Sequence, residues 1–397
     1  MRRVAVIGAG AAGCFCAAHL LRRGFRVTLF EAGAKPLAKV AVTGGGRCNL
    51  TNTFQEIRSL SEAYPRGERV MQRALKAFSP KDTCQWFTKA GVPVSVQPDQ
   101  CVFPVSQDAM DVVRALLGAC RGAGFRLGHR VQRIVNCHSE RSEESSFTVD
   151  GEPFDAVVVT TGGAPQGLPF LASFGLETVP PVPSLFTFCI EDTGLRALMG
   201  LVVPAALSIP GTSFRSHGPL LLTDWGLSGP ATLRLSSYAA RYLARNQYKA
   251  PLSVNWMDRS EEEVRTRLQK VAGEHPQQQV PSARCGLPAR LWSFLTSRAG
   301  LRENLRWAEL GTKGFNKLTA TLTADAYSIS GKFKFREEFV TAGGVALSEV
   351  NLNTLESKRF PGLFFAGEVL DIDAITGGFN LQAAWSTGYV VSQNIRV

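Results

Sequence analysis

The chain begins with a short apolar strand that runs into a glycine pattern able to hold phosphate groups. Gly8, Gly10 and Gly13 follow the strand with the Gly-x-Gly-x-x-Gly spacing of dinucleotide-binding loops. We interpret Gly8 as the residue of a tight turn and Gly10 as the point where the backbone approaches a pyrophosphate. Gly13 then lets the next helix pack closely on the strand. The N-terminus of that helix offers free N–H groups and a positive dipole end to the phosphates.

A carboxylate follows the second strand, at the position that contacts the ribose of a nucleotide in such a site. The second apolar strand, residues 25–30, ends on Glu31, 18 residues past Gly13, and this side chain can accept hydrogen bonds from a ribose diol. An alternative interpretation of the N-terminus, a secretory signal that starts at Arg2-Arg3, is disfavoured because cleavage would destroy the first βαβ unit. The sequence therefore predicts a Rossmann-like nucleotide-binding domain.

Two further glycine-rich segments follow predicted strands or turns. Thr43-Gly44-Gly45-Gly46-Arg47-Cys48-Asn49 exposes the N–H groups of consecutive glycines, which suits phosphates or a flat ring, although a flexible surface loop would have the same composition. Thr160-Thr161-Gly162-Gly163 follows a buried-type strand at residues 155–160. We expect both segments to contact the nucleotide.

The C-terminal glycine segment has the clearest chemical logic for a flavin. A strand ends on Gly367-Glu368, and a Gly377–Gly378 turn leads into a helix that begins near Asn380. A flavin that accepts a hydride at N5 becomes negatively charged near N1 and O2, and a helix N-terminus aimed there stabilises that charge. Glu368 is either a ligand of a ribityl hydroxyl or a capping residue.

The second glycine loop also carries the candidate catalytic side chains. Arg47, Cys48 and Asn49 are the nearest candidates, with Cys48 either a redox thiol or, as we favour, a packed small residue. Asp371 and Asp373 are candidates for acid–base groups or for turn residues.

Composition excludes several classes of protein. The 397 residues are 45% apolar and hold no apolar run near the roughly 18 residues that span a bilayer. The nine cysteines form no Cys-x-x-Cys pair, and the five histidines show no metal-ligand spacing. We therefore expect a reduced, cytoplasmic protein without a membrane segment, a metal site or a disulfide-reductase centre.

The formal net charge of +11 has two interpretations. The general interpretation is a basic surface that suits an anionic cofactor. The more specific interpretation is a polyanionic partner such as RNA. The basic residues are dispersed, and no Lys/Arg-rich run interleaved with aromatic residues occurs. We therefore favour a small-molecule substrate over nucleic acid.

Periodicity and turn residues predict the elements that position these motifs. Helices are expected within 56–91 and at 108–122, a strand at 102–105, and a hairpin of 130–136 with 146–149 that flanks an exposed polar loop at 138–145. Pro180, Pro181 and Pro183 predict a stiff connection between domains. Short antiparallel strands are expected over 185–254, a helical insert over 258–319, further strand from Ala320 to Phe339, and a terminal helix.

The motifs in combination resemble a family of bacterial FAD-binding flavoproteins. The segments that carry the resemblance are Gly8–Gly13, Thr43–Asn52, Gly226–Pro230, Thr341–Val345, Thr354–Lys358 and Gly367–Gln382. The family is often labelled aminoacetone-oxidase-type or NAD(P)/FAD-dependent oxidoreductases, and it includes a bile-acid reductase. The resemblance implies an α/β fold in which a Rossmann-like, glutathione-reductase-like FAD domain is interrupted by a β-rich domain with a helical insert. The predicted boundaries are 1–184 and 343–397 for the FAD domain, 185–257 and 320–342 for the β-rich domain, and 258–319 for the insert.

The motifs and the resemblance together predict the residues that contact FAD. The predicted set is Gly8, Gly10, Ala11, Ala12, Gly13, Glu31, Ala32, Lys39, Thr43, Gly44, Gly45, Gly46, Arg47, Cys48, Asn49, Val131, Thr161, Gly162, Gly163, Gly367, Glu368, Gly378, Phe379, Asn380, Leu381 and Gln382. Asp224 and Trp225 either face the substrate or belong to a core beside a turn.

The predicted function is hydride transfer between flavin N5 and a small organic substrate. No second full glycine fingerprint exists for NAD(P), so either NAD(P)H docks transiently at the flavin or another acceptor such as oxygen closes the cycle. The alternatives are an FAD-dependent RNA-modifying enzyme and a non-catalytic flavin-binding protein.

Overall fold

A computed structural model describes residues 2–137, 147–163, 169–333 and 340–396. Contacts within the chain divide it into two compact units. The first unit is Met1–Val182 with Val340–Val397, and the second is Pro183–Phe339.

The first part of the chain alternates strands and helices. Its strands are β1 (Arg3–Ile7), β2 (Arg26–Glu31), β3 (Thr51–Asn52), β4 (Val94–Val96), β5 (Cys101–Pro104), β6 (Gly124–Leu127), β7 (Ile134–Asn136), β8 (Phe147–Val149), β9 (Glu152–Phe154), β10 (Ala156–Val159) and β11 (Thr178–Ser184). Its helices are α1 (Ala11–Arg22), α2 (Ala38–Val42), α3 (Leu60–Ala63), α4 (Glu68–Ala77), α5 (Pro80–Lys89) and α6 (Ala109–Ala119).

The second unit and the C-terminal return complete the fold. The second unit holds β12 (Phe188–Ile190), α7 (Thr193–Arg196), β13 (Val202–Ser208), β14 (Arg215–Thr223), β15 (Gly226–Ser228), α8 (Gly229–Tyr238), α9 (Ala240–Arg245), β16 (Ala250–Asn255), α10 (Glu261–Glu274), α11 (Ala289–Arg298), α12 (Gly311–Thr323) and β17 (Asp325–Lys332). The return to the first unit adds β18 (Val340–Val345), β19 (Leu363–Phe365) and α13 (Phe379–Asn394).

A parallel sheet with the order β19-β10-β1-β2-β6 forms the centre of the first unit. β1 and β10 are almost wholly buried, as expected for parallel strands that are covered on both faces. Because the strands are parallel, their carboxyl ends meet at one edge, where ligands bind in open α/β sheets. Gly8, Thr160 and Ala366 each follow a strand at this edge.

Helices α1 and α13 pack together on this sheet at short range. A Cβ atom on Gly388 of α13 would lie 2.8 Å from the carbonyl oxygen of Ala12. Phe15 on α1 contacts Trp86 and Trp385 with ring centroids 4.9 and 5.4 Å apart, so aromatic packing fixes the two helices against α5.

The second unit is built on a closed barrel with the order β12-β15-β14-β13-β16-β17. Its strands are antiparallel, and β13 alternates buried Val203, Ala205 and Leu207 with more exposed neighbours. This confirms the predicted β-rich domain. Helices α10, α11 and α12 lie within the predicted insert, except that α12 continues to Thr323.

Two predictions of element type or boundary in the second unit were wrong. The region 185–254 holds helices α8 and α9 as well as strands, because Ala231, Leu235, Ala239 and Leu243 recur at four-residue spacing and are all buried. The predicted strand start at Ala320 falls within α12, so β17 begins only at Asp325.

The proline-rich segment connects the two units as predicted, since the division falls between Val182 and Pro183, but the segment is also a strand. Pro180, Pro181 and Pro183 lie in β11, which pairs with β18 as a two-stranded sheet. Proline is tolerated at a sheet edge because the missing N–H is not needed there. The predicted boundary between residues 342 and 343 lies inside β18, which belongs to the first unit.

Other predicted elements are close to the structure. The helical region 56–91 is divided into α3, α4 and α5, and the hairpin of β7 and β8 is antiparallel as predicted. The polar loop 138–145 lies outside the described residues. Among the helices that the structure describes, none has the length and apolar character needed to span a bilayer.

Candidate functional site

The first glycine turn leaves an open space beside the N-terminus of α1. A Cβ atom on Gly8 would lie 2.4 Å from the Thr160 carbonyl oxygen, and one on Gly13 would lie 1.9 Å from that of Gly8. Both glycines are therefore required by backbone packing. Within the described residues, a Cβ atom on Gly10 would meet no atom within 4 Å, and no side chain caps the N-terminus of α1. The free N–H groups of this turn are available to an anion.

Glu31 is held at the end of β2 by the glycine turn. Its Oε2 accepts a hydrogen bond from the backbone N–H of Ala9 at 2.9 Å, and its Oε1 accepts one from Gly33 at 2.7 Å. The carboxylate is thus fixed beside the turn, as the ribose interpretation requires. The contact with a ribose stays a prediction.

The ends of β10 and β19 form the next part of the site. Thr160 is buried and donates its hydroxyl to the carbonyl oxygens of Ile7 and Gly8 at 3.0 and 2.8 Å. Thr161 follows it with a buried hydroxyl that has no partner in the part of the chain that the structure describes. A buried hydroxyl without a partner lowers the stability of the folded protein, and a hydrogen bond to a bound polar group would remove this penalty.

Glu368 closes this edge of the site. Its Oε1 accepts a hydrogen bond from the backbone N–H of Thr341 at 2.7 Å. Burial raises the pKa of the Glu368 carboxyl, while the charge of Lys39 and the N–H groups of Thr341 and Gly163 act in the opposite direction. The carboxyl is therefore tied to the protein backbone, and its contact with a ribityl hydroxyl stays a prediction.

The second glycine loop presents backbone toward open space. Gly44, Gly45 and Gly46 all have positive φ angles, and Cβ atoms on Gly45 and Gly46 would meet nothing within 4 Å. Arg47 is exposed, with its guanidinium over the Phe103 ring at 4.6 Å from the centroid. Cys48 is fully buried, and burial raises the pKa of its thiol to about 12. Its low thiolate content favours the packing role over a redox role.

The glycine loop and the start of α13 come together, which sequence reasoning did not predict. With its amide oxygen toward Gly378, Asn49 accepts a hydrogen bond from the Gly378 N–H at 3.2 Å and donates to the Thr51 carbonyl at 2.9 Å. Asn52 donates to the Gly377 carbonyl at 3.1 Å. A Cβ atom on Gly378, whose φ is 89°, would lie 2.4 Å from the Thr51 carbonyl oxygen. The two predicted loops thus form one site.

Gln382 anchors this junction from inside the protein. It is fully buried, and its Oε1 accepts hydrogen bonds from the hydroxyls of Thr51 and Thr83 at 2.6 and 2.8 Å. Its Nε2 donates to Ser386 at 2.9 Å and to the Phe78 carbonyl at 3.3 Å. Because the Gln382 side chain is bonded to groups in the core, we expect the backbone of Gln382 to make the predicted contact with the cofactor.

The loop before α13 is fixed by an ion pair and by a tyrosine. Asp373 is fully buried and forms a bidentate ion pair with Arg66. Tyr64 donates its hydroxyl to the Phe379 carbonyl at 2.9 Å. The pairing gives Asp373 a structural role in place of the acid–base role considered from sequence. Asn380 bonds to the backbone of Ala374 at 2.9 and 3.0 Å and closes the same loop.

The remaining predicted residues lie around these loops or elsewhere in the first unit. Ala12, Val131 and Phe379 are buried, whereas Ala32 and Lys39 are exposed. Ala11, Thr43, Gly162, Gly367 and Leu381 lie in or beside the loops described above. In the second unit Asp224 is exposed at the turn between β14 and β15, and Trp225 stacks on Phe333 with ring centroids 4.3 Å apart.

The residues of the first unit fit a dinucleotide cofactor of the FAD type. Gly10 leaves room for a pyrophosphate at an uncapped helix N-terminus, Thr161 carries an unpartnered buried hydroxyl, and Glu31 is oriented for a ribose. The N-terminus of the 16-residue helix α13 would stabilise negative charge on a flavin ring. The sequence profile of the HI0933-like protein Rossmann domain matches residues 2–394.

The chain belongs to the HI0933-like Rossmann-domain family. Members of this family have a Rossmann-type FAD-binding domain and the fold of an FAD-dependent oxidoreductase, which confirms the predicted fold class. The finer expectation of an aminoacetone-oxidase type receives no support from the relatives described below.

Two curated relatives match almost the whole chain. A protein named ribosomal RNA dihydrouridine synthase from Escherichia coli K12 is 31% identical and covers 98% of this chain and 97% of its own length. A protein named 3-dehydro-bile acid delta(4,6)-reductase from Clostridium scindens is 26% identical and covers 99% of this chain and 98% of its own length.

A solved structure supports the same fold. The 3-ketosteroid-delta4-(5alpha)-dehydrogenase of Rhodococcus jostii RHA1 aligns over 98% of this chain and 97% of its own, with a TM-score of 0.50 and 13% identity. At 13% identity this similarity shows a shared fold and nothing about activity.

Proposed function

We propose that this HI0933-like protein is an FAD-dependent reductase of a carbon–carbon double bond conjugated to a carbonyl group. The observation that carries the proposal is the junction of the glycine loop with the N-terminus of α13. There, Asn49 and Asn52 bond to the Gly377–Gly378 turn and so join the end of the glycine loop to the start of the helix.

The chain's own groups stabilise charge at this position. Bound FAD supplies a hydride from N5 of its reduced ring. The N-terminus of α13 would hold the pyrimidine side of the ring, and its positive dipole end would stabilise the negative charge of the reduced cofactor. Gly377 and Gly378 both have positive φ angles, and Cβ atoms there would lie 2.9 Å from the Phe379 ring and 2.4 Å from the Thr51 carbonyl oxygen, so glycine is needed for this turn to pack against the loop.

The names of the relatives support a double bond as the reacting group. Dihydrouridine is uridine whose C5=C6 bond has gained two hydrogens, and this bond is conjugated to the C4 carbonyl. A delta(4,6)-reductase also acts on double bonds, and those of a 3-dehydro bile acid are conjugated to a carbonyl. Addition of hydride to one end of a carbon–carbon double bond that is conjugated to a carbonyl, followed by protonation of the resulting enolate, is common to both. The electron donor that we propose is NAD(P)H, which would bind transiently because the chain has one full glycine fingerprint.

A second candidate substrate class is uridine within RNA. The specific observation that favours it is the 31% identity to the ribosomal RNA dihydrouridine synthase over nearly both full lengths. The formal net charge of +11 supports a polyanionic partner as well. We favour a small conjugated enone as the substrate, since it needs no binding surface on the protein beyond the flavin site itself.

Anaerobic mixing tests the proposal. The purified protein is mixed with NADPH and then NADH, and the visible absorption band of its flavin is followed. The reduced protein is then mixed with a 3-oxo-4,6-diene steroid acid or with an unmodified ribosomal RNA transcript. Rapid bleaching followed by reoxidation in the presence of either acceptor supports the proposal. A flavin that is reduced but is reoxidised only by oxygen would contradict it.

The identity of the acceptor separates the two substrate classes. Reoxidation by the steroid, with a product two mass units heavier, assigns the small enone. Reoxidation by the RNA, with dihydrouridine found in its nucleoside digest, assigns the RNA base. Gly10→Val is the control, because it should remove the cofactor without disturbing protein packing.

A further inference from the structure

Helix α4 carries a basic face in the same unit as the candidate flavin site. Val70, Met71 and Ala74 are its buried residues, whereas Arg69, Arg73 and Lys76 are exposed. The basic residues are spaced i, i+4 and i+7, so they lie along one side of the helix. At about 1.5 Å of rise per residue this row is about 10 Å long, which suits two neighbouring phosphates of a nucleic acid backbone.

No carboxylate neutralises this face in the described residues. Arg69, Arg73 and Lys76 form no ion pair there, while other exposed basic residues such as Arg265 and Arg114 do. Like charges at i, i+3 and i+4 destabilise a helix, and a cation such as Arg69 in the first turn also opposes the helix dipole. A polyanion bound along the face would remove both costs.

The helix is fixed to the loop that precedes α13. Arg66, just before α4, forms the bidentate pair with Asp373. A Cβ atom on Gly67, the N-cap of α4, would lie 2.6 Å from the Ile372 side chain. The Ile375 N–H donates to the Ala63 carbonyl at 2.9 Å. A ligand on the basic face would therefore lie on an element that is packed directly against the flavin-facing loop.

We propose that Arg69, Arg73 and Lys76 bind the phosphate backbone of an RNA substrate. This inference rests on the RNA candidate of the proposed function. Guanidinium and ammonium groups bind phosphate oxygens without reading sequence, so the face would position the RNA while the flavin site selects the base.

Neutralisation of the face tests the proposal. The variant carries Arg69→Gln, Arg73→Gln and Lys76→Gln, which keep helix-forming side chains. The control carries Arg265→Gln, Lys270→Gln and Arg302→Gln, which remove the same charge from residues that each lie within 4 Å of a glutamate. Binding of an unmodified ribosomal RNA fragment is measured by fluorescence anisotropy at several salt concentrations.

The expected result is a selective loss of RNA affinity. For three lost phosphate contacts, the slope of log affinity against log salt should fall by about two, because each contact to single-stranded nucleic acid contributes about 0.7. We expect the dissociation constant to rise by about tenfold or more at low salt. Flavin content and flavin reduction by NAD(P)H should match the wild type, thermal melting should be equal or slightly higher because the repulsion within the helix is removed, and the control should keep the wild-type slope.

Two outcomes would overturn the inference in different ways. If the wild type binds the RNA and the α4 variant binds it with the same affinity and slope, the surface is wrong and the RNA candidate stands. If the wild type reduces a conjugated enone but neither binds nor reduces the RNA, the RNA candidate fails, and the surface with it.

Discussion

Arg66 and Asp373 form a buried bidentate ion pair that joins the start of α4 to the loop before α13. The Asp373 side chain is fully buried, and that of Arg66 is 11% exposed. The pair lies between two segments that are more than 300 residues apart in the chain. It therefore positions the loop of the candidate flavin site by tertiary contact.

Asp373→Asn should be strongly destabilising. The change removes the negative charge of the buried pair with Arg66, and breaking a buried pair typically costs about 3–5 kcal/mol. Urea denaturation followed by circular dichroism measures the change in the free energy of unfolding. We also expect a lower flavin content, because the loop that holds the start of α13 loses its anchor.

Asp111→Asn is the matched control for this prediction. Asp111 is paired with Arg114 at 2.6 Å, but that pair is exposed. Exposed pairs contribute little because solvent screens them, so the control should unfold at the wild-type urea concentration. Equal stability of the Asp373→Asn variant and this control would contradict a structural role for the buried pair.

Gly10→Val should remove the cofactor while the protein stays folded. A Cβ atom on Gly10 meets no protein atom within 4 Å, and the residue has a φ of −85° that any residue can adopt. The branched side chain would instead fill the space of a pyrophosphate. The measurement is the ratio of flavin to protein absorbance after purification, together with a far-ultraviolet spectrum of native shape.

Gly13→Ala separates cofactor exclusion from misfolding. A Cβ atom there would lie 1.9 Å from the Gly8 carbonyl oxygen, so the backbone itself must shift. We expect this variant to lose both stability and flavin. A Gly10→Val protein that retains stoichiometric flavin would show that the glycine turn does not contact the pyrophosphate.

Gln382→Met should destabilise the junction of the glycine loop with α13. The change removes the acceptor for the hydroxyls of Thr51 and Thr83. Each buried polar group that loses its partner costs about 1–3 kcal/mol. Thermal unfolding should show a loss of several degrees, and flavin should dissociate faster because Thr51 no longer holds the loop.

Thr83→Val provides the graded comparison for Gln382. It removes one of the two hydroxyl donors but leaves the Thr51 contact with Gln382 in place. Its loss of stability should be smaller, and its flavin dissociation rate should stay near that of the wild type. Equal flavin dissociation rates in the two variants would exclude a role of the Thr51 contact in holding the loop.

His19 should make the protein less stable in mild acid. It lies in an aromatic core beside Phe15 and Trp86 with a buried, unpartnered Nε2. Burial, with a smaller contribution from the Arg22 charge, lowers the pKa of His19 to about 4. Between about pH 6.5 and pH 4 the unfolded state binds a proton that the folded state does not, so stability falls as pH falls through this range.

The size and specificity of this effect can be measured. A pKa shift of this size corresponds to about 3 kcal/mol at the acid end of the range. His19→Leu should flatten the dependence of the unfolding free energy on pH between 6.5 and 4. The exposed His275→Gln should leave the dependence unchanged. An unaltered slope in His19→Leu would show that other groups cause the acid sensitivity.

The sequence alone predicted the nucleotide-binding part of the protein. Gly8, Gly13 and Glu31 act within one βαβ unit, where neighbours in sequence are also neighbours in space. The spacing of glycines around strands therefore carries the geometry directly. The family resemblance extended this to the fold class, and the pattern of short strands over 185–254 predicted a β-rich domain, whose closure into a barrel only the structure shows.

Some local sequence patterns are compatible with two kinds of secondary structure, and two predictions made from such patterns differ from the structure. Pro180 and Pro181 were expected to form a connection between domains, but they also lie in an edge strand, because the neighbouring β18 supplies the pairing. Helices α8 and α9 lie between strands of the barrel, but the sequence pattern predicts strands throughout 185–254 and does not predict these two helices. In both cases tertiary pairing decided the element.

The sequence by itself determined the cofactor loops and the fold class, because these depend on residues that lie close together in the chain. Only the tertiary structure decided how the loops meet. The contacts of Thr51 with Gln382 and of Arg66 with Asp373 each join segments about 300 residues or more apart. Such contacts leave no periodic signal in the sequence, since each residue type is common and its partner is set by the packing of α13 against the rest of the first unit.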